Sequence, residues 1–283
     1  MNAAGPERLT LPAPAKLNLF LHVLGRRDDG YHLLQTVYQL LDWGDRVELE
    51  VRPDGLIDRR SGPAGVPAEQ DLAVRAARLL QADSGTGQGA SLAIGKQIPA
   101  GAGLGGGSSD AATVLLGLNR LWQLDYSLDR LARLGLRLGA DVPVFVAGRS
   151  AFAEGIGERL QPLDLPERWF VVVWPEVSAS TAEIFQAPEL TRNTPALTMA
   201  TLAGLETRND LEPVALRRWP PIAAARAWLS AHGAARMSGS GASVFVEAAD
   251  EQAAKAIVAG SPWPAWAARG VAVSPLHRTL GLA

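Results

Sequence analysis

The sequence predicts an α+β protein built of two domains, and three observations support that prediction. The 283 residues suffice for one large or two modest domains. Strand-like runs alternate with helical patterns along the chain, which is typical of helices packed on a sheet. The sequence pattern changes near residue 160, where a proline-containing connector, 161–166, precedes an apolar run typical of a buried strand. We therefore predict one domain over residues 1–160 and a second over residues 161–283.

Helices of the first domain are predicted from apolar residues that recur every three or four positions. The three segments are 71–81, a helix beginning at residue 108 or 109, and 128–138. Ser127 is a suitable N-cap for the third helix, and Gly139 is a suitable C-terminal stop. The strands predicted in this domain are 46–51 and 92–98, and the predicted surface loops are 53–67 and 84–89.

The second domain interleaves strands and helices in the same way. Its predicted strands are 170–174, 243–246 and 271–273, and its predicted helices are 181–186, 221–231 and 250–258. Pro221 suits the first turn of a helix, where its missing N–H is not needed. This interleaving indicates a two-layer arrangement of helices on a sheet.

Composition and charge exclude several classes of protein. The 27 basic and 29 acidic side chains leave a net charge of −2, so the chain lacks the basic surplus on which non-specific nucleic-acid binding depends. It contains no cysteine, which excludes disulfides, thiolate metal sites and thiol nucleophiles. No basic start is followed by an apolar block, and no run reaches about 18 apolar residues. We therefore expect neither a signal peptide nor a membrane span, and a cytoplasmic location.

A glycine-rich segment follows the predicted strand 92–98 and precedes a predicted helix. Its residues are Pro99, Ala100, Gly101, Ala102, Gly103, Leu104, Gly105, Gly106, Gly107, Ser108 and Ser109. Glycines let the backbone approach a ligand and leave N–H groups free for anionic oxygens, and a helix N-terminus adds a favourable dipole. The segment therefore favours a polyphosphate ligand, the alternative being a flexible loop before an ordinary capped helix.

This segment fits none of three common nucleotide loops. Gly101, Gly103 and Gly106 have the spacing G-x-G-x-x-G, and Asp125 lies 19 residues further on. However, Pro99 and the additional glycines do not suit the tight turn of a dinucleotide-binding fold. No lysine follows the glycines as in a Walker A loop, and no H-R-D or D-F-G motif indicates a protein kinase. A different nucleotide loop is indicated.

Two other parts of the chain, taken with the glycine loop, resemble the three motifs of the GHMP kinase superfamily. They read P-A-K-L-N-L-F-L at 14–21 with G-R-R-D-D-G-Y-H at 25–32, and M-S-G-S-G-A-S-V-F at 237–245. The stretch G-A-D-V-P-V-F at 139–145 is also similar to members that act on a cytidine diphosphate-linked sugar alcohol in non-mevalonate isoprenoid synthesis. The resemblance covers about residues 14–245. It implies a ribosomal protein S5 domain 2-like N-terminal domain, a ferredoxin-like C-terminal domain and an active site between them.

The activity that the resemblance implies is ATP-dependent phosphorylation of the tertiary hydroxyl of that alcohol. The match makes Asp141 the candidate general base and Lys16 the active-site cation paired with it. A charge inside the apolar run around Lys16 is costly unless it is paired or functional. The residues alone leave two alternatives open, an aspartate that bonds its own turn and an edge-strand lysine that extends to solvent.

The resemblance also implies ligand-binding residues. ATP would contact the glycine loop, Pro99 to Ser109, and Lys96 on the adenosine side. The substrate-binding residues would be Asn18, Tyr31, His32, Thr181 and Phe185. Tyr31 would stack on one face of the cytosine, His32 would bond its edge, and Phe185 would cover the other face. Taken alone, Tyr31 and Phe185 are more typical of core aromatic residues and His32 of a capped turn, and Lys96 fits a strand surface nearly as well.

One position departs from the family pattern, and several properties stay open. Asp71 and Leu72 stand where the family commonly has Asn-Leu, so Asp71 either accepts from the adenine amino group or only caps a helix. Mg²⁺ is expected with ATP, with its ligands undetermined. The expected partners are ATP and the small-molecule substrate, without nucleic acid or membrane, in a monomer or a homodimer. The alternatives are another small-molecule kinase of the superfamily or a non-catalytic RNA-binding module.

Overall fold

Strands and helices alternate through the computed structural model, which describes residues 7–198 and 207–282. The strands are β1 (Arg8–Arg26), β2 (His32–Arg52), β3 (Ile57–Ser61), β4 (Gly89–Gly95), β5 (Ala151–Glu154), β6 (Arg159–Pro162), β7 (Arg168–Val173), β8 (Arg236–Met237), β9 (Val244–Ala248) and β10 (Ala265–Val271). The helices in this part of the chain are α1 (Leu72–Ser84), α2 (Gly106–Leu121), α3 (Leu128–Leu136), α4 (Val142–Ala147), α5 (Thr181–Gln186), α6 (Glu212–Arg218), α7 (Pro220–Leu229), α8 (Glu251–Ala259) and α9 (Pro275–Leu280).

One mixed sheet contains these strands. Its main path runs β3-β4-β2-β10-β7-β9-β8, while β1 pairs with β2, and β5 pairs with both β2 and β6. The pairings are antiparallel except for β3 with β4. Because β2 pairs with β1, β4, β5 and β10, this long strand joins the first half of the sheet to the second.

The hydrophobic core forms separate clusters in the two halves. Leu49, Leu80 and Leu115 belong to the cluster between α1, α2 and the first half of the sheet. Val171 and Ile222 belong to the cluster of the second half. Full burial of each such side chain stabilises the fold by about 1.5–3 kcal/mol. The two halves therefore each have apolar packing of their own.

A third apolar cluster lies beneath the glycine loop. It includes Ala102 and Leu104 of the loop, Leu17 of β1, Ile98 after β4 and Phe245 of β9. Because these residues come from both halves of the chain, the apolar side of the loop is anchored where the halves meet. The backbone of the loop is thereby held in place for a ligand.

The α+β architecture is confirmed, and so are most of the predicted elements. Helix α1 begins one residue after the predicted start, and Ser127 caps α3 by accepting from the Arg130 N–H. Strands β7 and β9 and helices α5 and α8 lie at the predicted places, with bounds that differ by at most two residues. In each case the pattern of apolar residues indicated the type of element correctly.

Several boundaries were predicted wrongly. Helix α2 begins at Gly106, before the serines. Its N-cap residue is Gly105, and no side chain caps its first turn. Helix α3 ends at Leu136, with Arg137 rather than Gly139 at the C-cap. The strand predicted at 271–273 lies at Ala265–Val271, because pairing with β7 outweighs the local preference of the valines.

Two predicted loop or connector regions contain strands. Residues 53–67 include β3, which pairs with β4, and the connector 161–166 overlaps β6, which pairs with β5. Both strands are short and carry exposed charged residues, so they lack the apolar alternation that marks a strand in sequence. The predicted domain boundary between residues 160 and 161 falls within β6.

Candidate active site

A cleft of about 680 Å³ opens over the glycine loop, between the two halves of the chain. The predicted site residues that line it are Lys16, Asn18, Lys96, Pro99, Ala100, Gly101, Ala102, Gly103, Leu104, Gly105, Gly106, Gly107, Ser108, Asp141, Thr181 and Phe185. Ser109, Tyr31 and His32 lie outside this lining. The cleft thus brings together side chains and amides from distant parts of the sequence.

The backbone amides of the glycine loop are available to a ligand. Residues 101–108 donate no amide hydrogen bond to any group in residues 7–198 and 207–282. Gly103 and Gly105 have φ of 74° and 75°, a conformation that favours glycine. A Cβ at Gly103 would lie 2.3 Å from the Ser238 carbonyl oxygen, so space also requires glycine there. The loop and the open first turn of α2 form a concave set of donors suited to phosphate oxygens.

The segment at 238–243 supports this loop from the other half of the chain. Ser238 Oγ donates to the Gly103 carbonyl at 3.0 Å, and the Ser243 N–H donates to the Ala102 carbonyl at 3.0 Å. Asn209 in turn donates to the carbonyls of Met237 and Gly239 at 2.9 and 2.7 Å. The third motif of the sequence analysis therefore fixes the shape of the loop.

Lys16 lies in β1 with its side chain almost fully buried at the base of the cleft. Its Nζ donates to Asn18 Oδ1 at 2.6 Å and to the Gly103 carbonyl at 2.9 Å, and it lies 3.4 Å from Asp141 Oδ2. Two of these three partners are neutral, so much of the positive charge stays uncompensated by the protein. The predicted pairing of Lys16 with Asp141 is present in the structure.

Asp141 precedes α4 and faces the cleft. It occupies the N-cap position, but its side chain makes no cap hydrogen bond, which contradicts the alternative of a turn-forming aspartate. Instead Oδ1 accepts from the Tyr38 hydroxyl at 2.9 Å, while Oδ2 faces Lys16. The carboxylate is about one-third exposed, so it can reach a ligand as well as its two partners.

Tyr38 is a site residue that the sequence analysis missed. Burial and then the nearby Asp141 carboxylate raise the pKa of Tyr38 well above its usual value, so this phenol stays a donor. Lys16 Nζ lies 5.7 Å from the centre of the Tyr38 ring. In the sequence, Tyr38 stands in an apolar strand, which is the ordinary place of a core aromatic residue.

Asn18 was predicted to bind substrate, and its side-chain atoms are engaged within the protein. Oδ1 accepts from Lys16, and Nδ2 donates to Thr36 Oγ1 at 2.9 Å. The Thr36 hydroxyl then donates to the Phe20 carbonyl. This chain of hydrogen bonds across β1 and β2 holds the ammonium group of Lys16 in position, and a direct bond from Asn18 to substrate stays a prediction.

Lys96 lies at the other end of the loop and is clamped between two buried carboxylates. Its Nζ bonds Asp45 Oδ2 and, at 2.8 Å, Asp110 Oδ2. Burial opposes the charge, but Asp110 and Asp45 outweigh that effect and raise the pKa of Lys96. Burial also raises the pKa of Asp110 to about 7, with Asp45 adding to the rise while Lys96 opposes it. This cluster of three side chains carries a surplus of negative charge.

Asp71 caps α1, as one of the two interpretations proposed. Its Oδ1 accepts from the Ala73 N–H at 3.0 Å, and Oδ2 is paired with Arg59 Nη1 at 2.7 Å. Arg59 also donates to the Val66 carbonyl at 2.7 Å. With both oxygens engaged in this way, the structure favours the capping role over contact with adenine.

The base-binding side chains are arranged differently from the predicted sandwich. His32 and Phe185 stack on each other, with ring centres 4.7 Å apart and planes inclined by 24°. Tyr31 is 60% exposed, and within the described residues its ring contacts neither of them. Thr181 Oγ1 lies 2.7 Å from Ser240 Oγ at the edge of the cleft. Phe185 and Thr181 therefore line the cleft, and His32, which stacks on Phe185, lies next to that lining.

Two kinds of feature are absent from residues 7–198 and 207–282. No group of three or more His, Asp or Glu side chains there is arranged to hold a metal ion. No helix in the same residues has the length and apolar character needed to cross a membrane.

Family models match both halves of the chain, the GHMP kinases N terminal domain over residues 71–149 and the GHMP kinases C terminal over residues 190–260. The cleft with its open glycine loop and facing Lys16–Asp141 pair is accordingly that of a GHMP kinase. A solved homoserine kinase from Cytophaga hutchinsonii shares the fold at 15% identity, with a TM-score of 0.69 over 97% of each chain.

The more similar relatives narrow the class. A 4-diphosphocytidyl-2-C-methyl-D-erythritol kinase from Aromatoleum aromaticum is 56% identical over 99% of this chain and 100% of its own. The crystal structure of a 4-(cytidine 5'-diphospho)-2C-methyl-D-erythritol kinase has a TM-score of 0.79 at 38% identity, covering 93% of this chain and 100% of its own. The chain belongs to the 4-diphosphocytidyl-2-C-methyl-D-erythritol kinase family, and it is a phosphotransferase that uses ATP.

Proposed function

We propose that this chain transfers the γ-phosphoryl group of ATP to the tertiary 2-hydroxyl of 4-diphosphocytidyl-2-C-methyl-D-erythritol, a step in non-mevalonate isoprenoid synthesis. The observation that carries the proposal is the placement of the Lys16–Asp141 pair beside the unpartnered loop amides in one cleft. Phosphoryl transfer requires alignment and charge stabilisation more than covalent chemistry, and these groups supply both.

The triphosphate of ATP would lie on the glycine loop. The free N–H groups of residues 101–108 and the N-terminus of α2 provide donors without the cost of breaking existing hydrogen bonds. Lys16 adds a positive charge next to the Gly103 carbonyl, where the γ-phosphoryl group would meet the acceptor alcohol. On the adenosine side, Lys96 would mainly stabilise the wall of the pocket rather than attract the phosphates, because two carboxylates already neutralise its charge.

Asp141 would align the alcohol and take its proton. The substrate oxygen attacks the γ-phosphorus, the bond from that phosphorus to the bridging oxygen of ADP breaks, and the hydroxyl proton passes to Asp141. Lys16 stabilises the charge that spreads over the transferred phosphoryl oxygens. The Tyr38 hydroxyl holds the other carboxylate oxygen, so the carboxylate keeps one orientation.

The cytidine part of the substrate would bind along Phe185 and Thr181. An aromatic face contributes about 1–3 kcal/mol of stacking to a base, which anchors the substrate by a part that does not react. His32 stacks on Phe185 and would bond the edge of the base, and Tyr31, at the exposed turn, would stack on the base. Asn18 contributes by holding Lys16.

Mg²⁺ is proposed to accompany ATP; it would be held by the phosphate oxygens, and the Ser108 hydroxyl and the Asp141 carboxylate, which line the cleft, could serve as protein ligands. The absence of a carboxylate cage among the described residues suits Mg²⁺, which commonly keeps several waters and binds through substrate phosphates. When bound, the ion supplies positive charge to the phosphate oxygens. We also propose a cytoplasmic location, with ATP and the cytidylyl alcohol as partners, in a monomer or homodimer.

A coupled assay of ADP release tests the proposal. With ATP and the cytidylyl alcohol we expect turnover, and with the same alcohol lacking the cytidine diphosphate group we expect little. Homoserine or mevalonate as acceptor should give none. Turnover of one of those acceptors in preference to the cytidylyl alcohol would instead identify a different small-molecule kinase. Binding of RNA without any turnover would identify a non-catalytic module.

A further inference from the structure

Arg192 lies in the segment after α5 and contacts the two stacked aromatic residues, the ring of His32 and the backbone of Phe185. Its Nε donates to His32 Nε2 at 3.2 Å. Its two terminal nitrogens donate to the carbonyls of Phe185 and Ala187 at the end of α5, both at 2.8 Å, and to the Leu190 carbonyl in the following segment at 3.1 Å. One half-buried guanidinium therefore links the helix that carries Phe185 to the start of β2.

These four hydrogen bonds use the geometry of arginine. The last carbonyls of a helix have no partner within the helix, and a planar guanidinium can donate to several of them at once. No other described side chain donates to the carbonyls of Phe185, Ala187 or Leu190. Arg192 therefore ties the segment after α5 to His32 and helps to set where the Phe185 ring lies relative to His32.

The contact with His32 also determines which ring nitrogen of His32 carries the proton. A guanidinium has donors and no acceptor, so His32 Nε2 must be unprotonated, and the neutral ring carries its proton on Nδ1. Nδ1 has no hydrogen-bond partner among the described residues, and this atom is not fully buried. It is therefore accessible as a donor. Burial and then the charges of Arg192 and Arg26 lower the pKa of His32, which keeps the ring neutral.

We propose that Arg192 is a positioning residue for pyrimidine recognition, which holds His32 in the Nδ1–H tautomer and seats Phe185 against it, so that both present a fixed wall to the cytidine nucleotide. The ligand feature recognised by Nδ1–H is a hydrogen-bond acceptor, and cytosine offers two of them on adjacent ring atoms. This inference rests on the proposed function, because it assigns a role to Arg192 in binding the cytidylyl substrate. Arg192 contacts neither the phosphate loop nor Lys16.

The tautomer can be read directly in the full-length protein by ¹⁵N NMR with labelled histidine. The chain has four histidines, so a His32→Gln spectrum assigns the resonance of interest. We expect the wild-type His32 proton on Nδ1, and we expect added cytidine diphosphate to shift that resonance and not those of the other three. A wild-type proton on Nε2 would overturn the proposal without any variant.

Kinetics of Arg192→Met supply the second readout. We expect the KM for the cytidylyl substrate to rise about tenfold, which corresponds to the loss of about 1.4 kcal/mol of binding, with kcat and the KM for ATP within about twofold. The matched control is Arg218→Met, because Arg218 donates to the Glu183 carbonyl of the same helix at 3.2 Å without touching His32. A KM for Arg192→Met no higher than that of Arg218→Met would overturn the proposal.

If Arg192→Met does not fold, Arg192→Lys serves in its place. The lysine keeps the charge and can reach some of the carbonyls, but it lacks the fork that bonds carbonyls and imidazole together. We expect the locked tautomer to be lost and the KM for the cytidylyl substrate to rise, and an unchanged tautomer and KM would contradict the proposal. Failure of the proposed function is distinct, because then wild-type protein would show no turnover while its His32 tautomer stays measurable.

Discussion

Lys16 and Lys96 lie at opposite ends of the same glycine loop, yet their surroundings differ. Lys96 is bonded by two buried carboxylates, whereas Lys16 has an amide oxygen, a backbone carbonyl and a half-buried carboxylate at 3.4 Å. When two carboxylates compensate a cation, the electrostatic field that the cation exerts on a ligand is weak. Lys16 keeps its field, because neutral partners orient an ammonium group without cancelling its charge. The comparison assigns the chemistry to the Lys16 side and the support of the loop to the Lys96 side.

The largest effect is expected from Asp141→Asn. This change keeps the shape and the Tyr38 contact but removes the proton acceptor and the charge beside Lys16. We expect kcat to fall by about 10² to 10⁴ while ATP affinity stays nearly unchanged. Steady-state kinetics with binding of a nonhydrolysable ATP analogue measure both, and Asp164→Asn in an exposed ion pair is the control. Full activity of the variant would exclude Asp141 as the base.

Exchange of each lysine for methionine should separate the two ends of the loop. Lys96→Met leaves Asp45 and Asp110 buried without a cation, and we expect a loss of about 3–5 kcal/mol in the free energy of unfolding. Lys16→Met leaves no fully buried carboxylate, so we expect a smaller loss of stability and a fall in kcat of about 10² to 10³. Denaturant unfolding and kinetics on both variants test this. Equal losses of stability would show that the two sites do not differ as described.

The pH dependence of stability should identify Asp110. Its folded pKa of about 7 lies above its usual value, so this group favours the folded state most at low pH. That contribution is lost as pH rises from about 4 through 7, because the unfolded chain releases the proton first. Asp110→Asn should remove the decline, so that between about pH 5 and pH 8 wild-type protein loses about 2–3 kcal/mol more than the variant. Parallel curves from denaturant unfolding would contradict this assignment.

The smallest expected effect comes from Tyr38→Phe. Removal of one hydroxyl takes away a hydrogen bond to the Asp141 carboxylate, and we expect kcat to fall about three- to tenfold, or about 1 kcal/mol, with the KM for ATP unchanged. Tyr126→Phe is the control, because its hydroxyl accepts from Arg130 at the surface. A kcat equal to that of the control would show that Tyr38 does not orient the carboxylate.

The local chemistry of the site was accessible from sequence. The glycine loop and Lys16 are each marked by residues that are unusual for their surroundings, such as a charge within an apolar strand, whereas Asp141 was indicated by the resemblance to the GHMP kinases. The structure brings Lys16 to Asp141 as predicted. The type of most helices and strands was accessible for the same reason, because apolar periodicity is a local property.

What the sequence did not indicate depends on contacts between distant residues. Asp45 and Asp110 meet Lys96 only through the pairing of β2 with β4 and the packing of α2, so nothing near Lys96 shows that its charge is compensated. Tyr38 looks like a core residue until the register of β1 on β2 sets it opposite Asn18. Arg192 belongs to no recurrent pattern, and its partners are mostly backbone carbonyls.

The length of β2 has a consequence for how this fold can change. The strand carries His32 at its start, Thr36 and Tyr38 in its first half and Asp45 in its second half, so it contributes to the stack with Phe185, to the Asp141 contact and to the Lys96 cluster. Side chains alternate between the faces of a strand, and insertion of a single residue would turn every later one to the opposite face. Such an insertion would disturb base binding, catalysis and loop support together. Natural insertions and deletions should therefore be confined to the turns that flank this strand, because the strand sets the relative positions of side chains along the whole cleft.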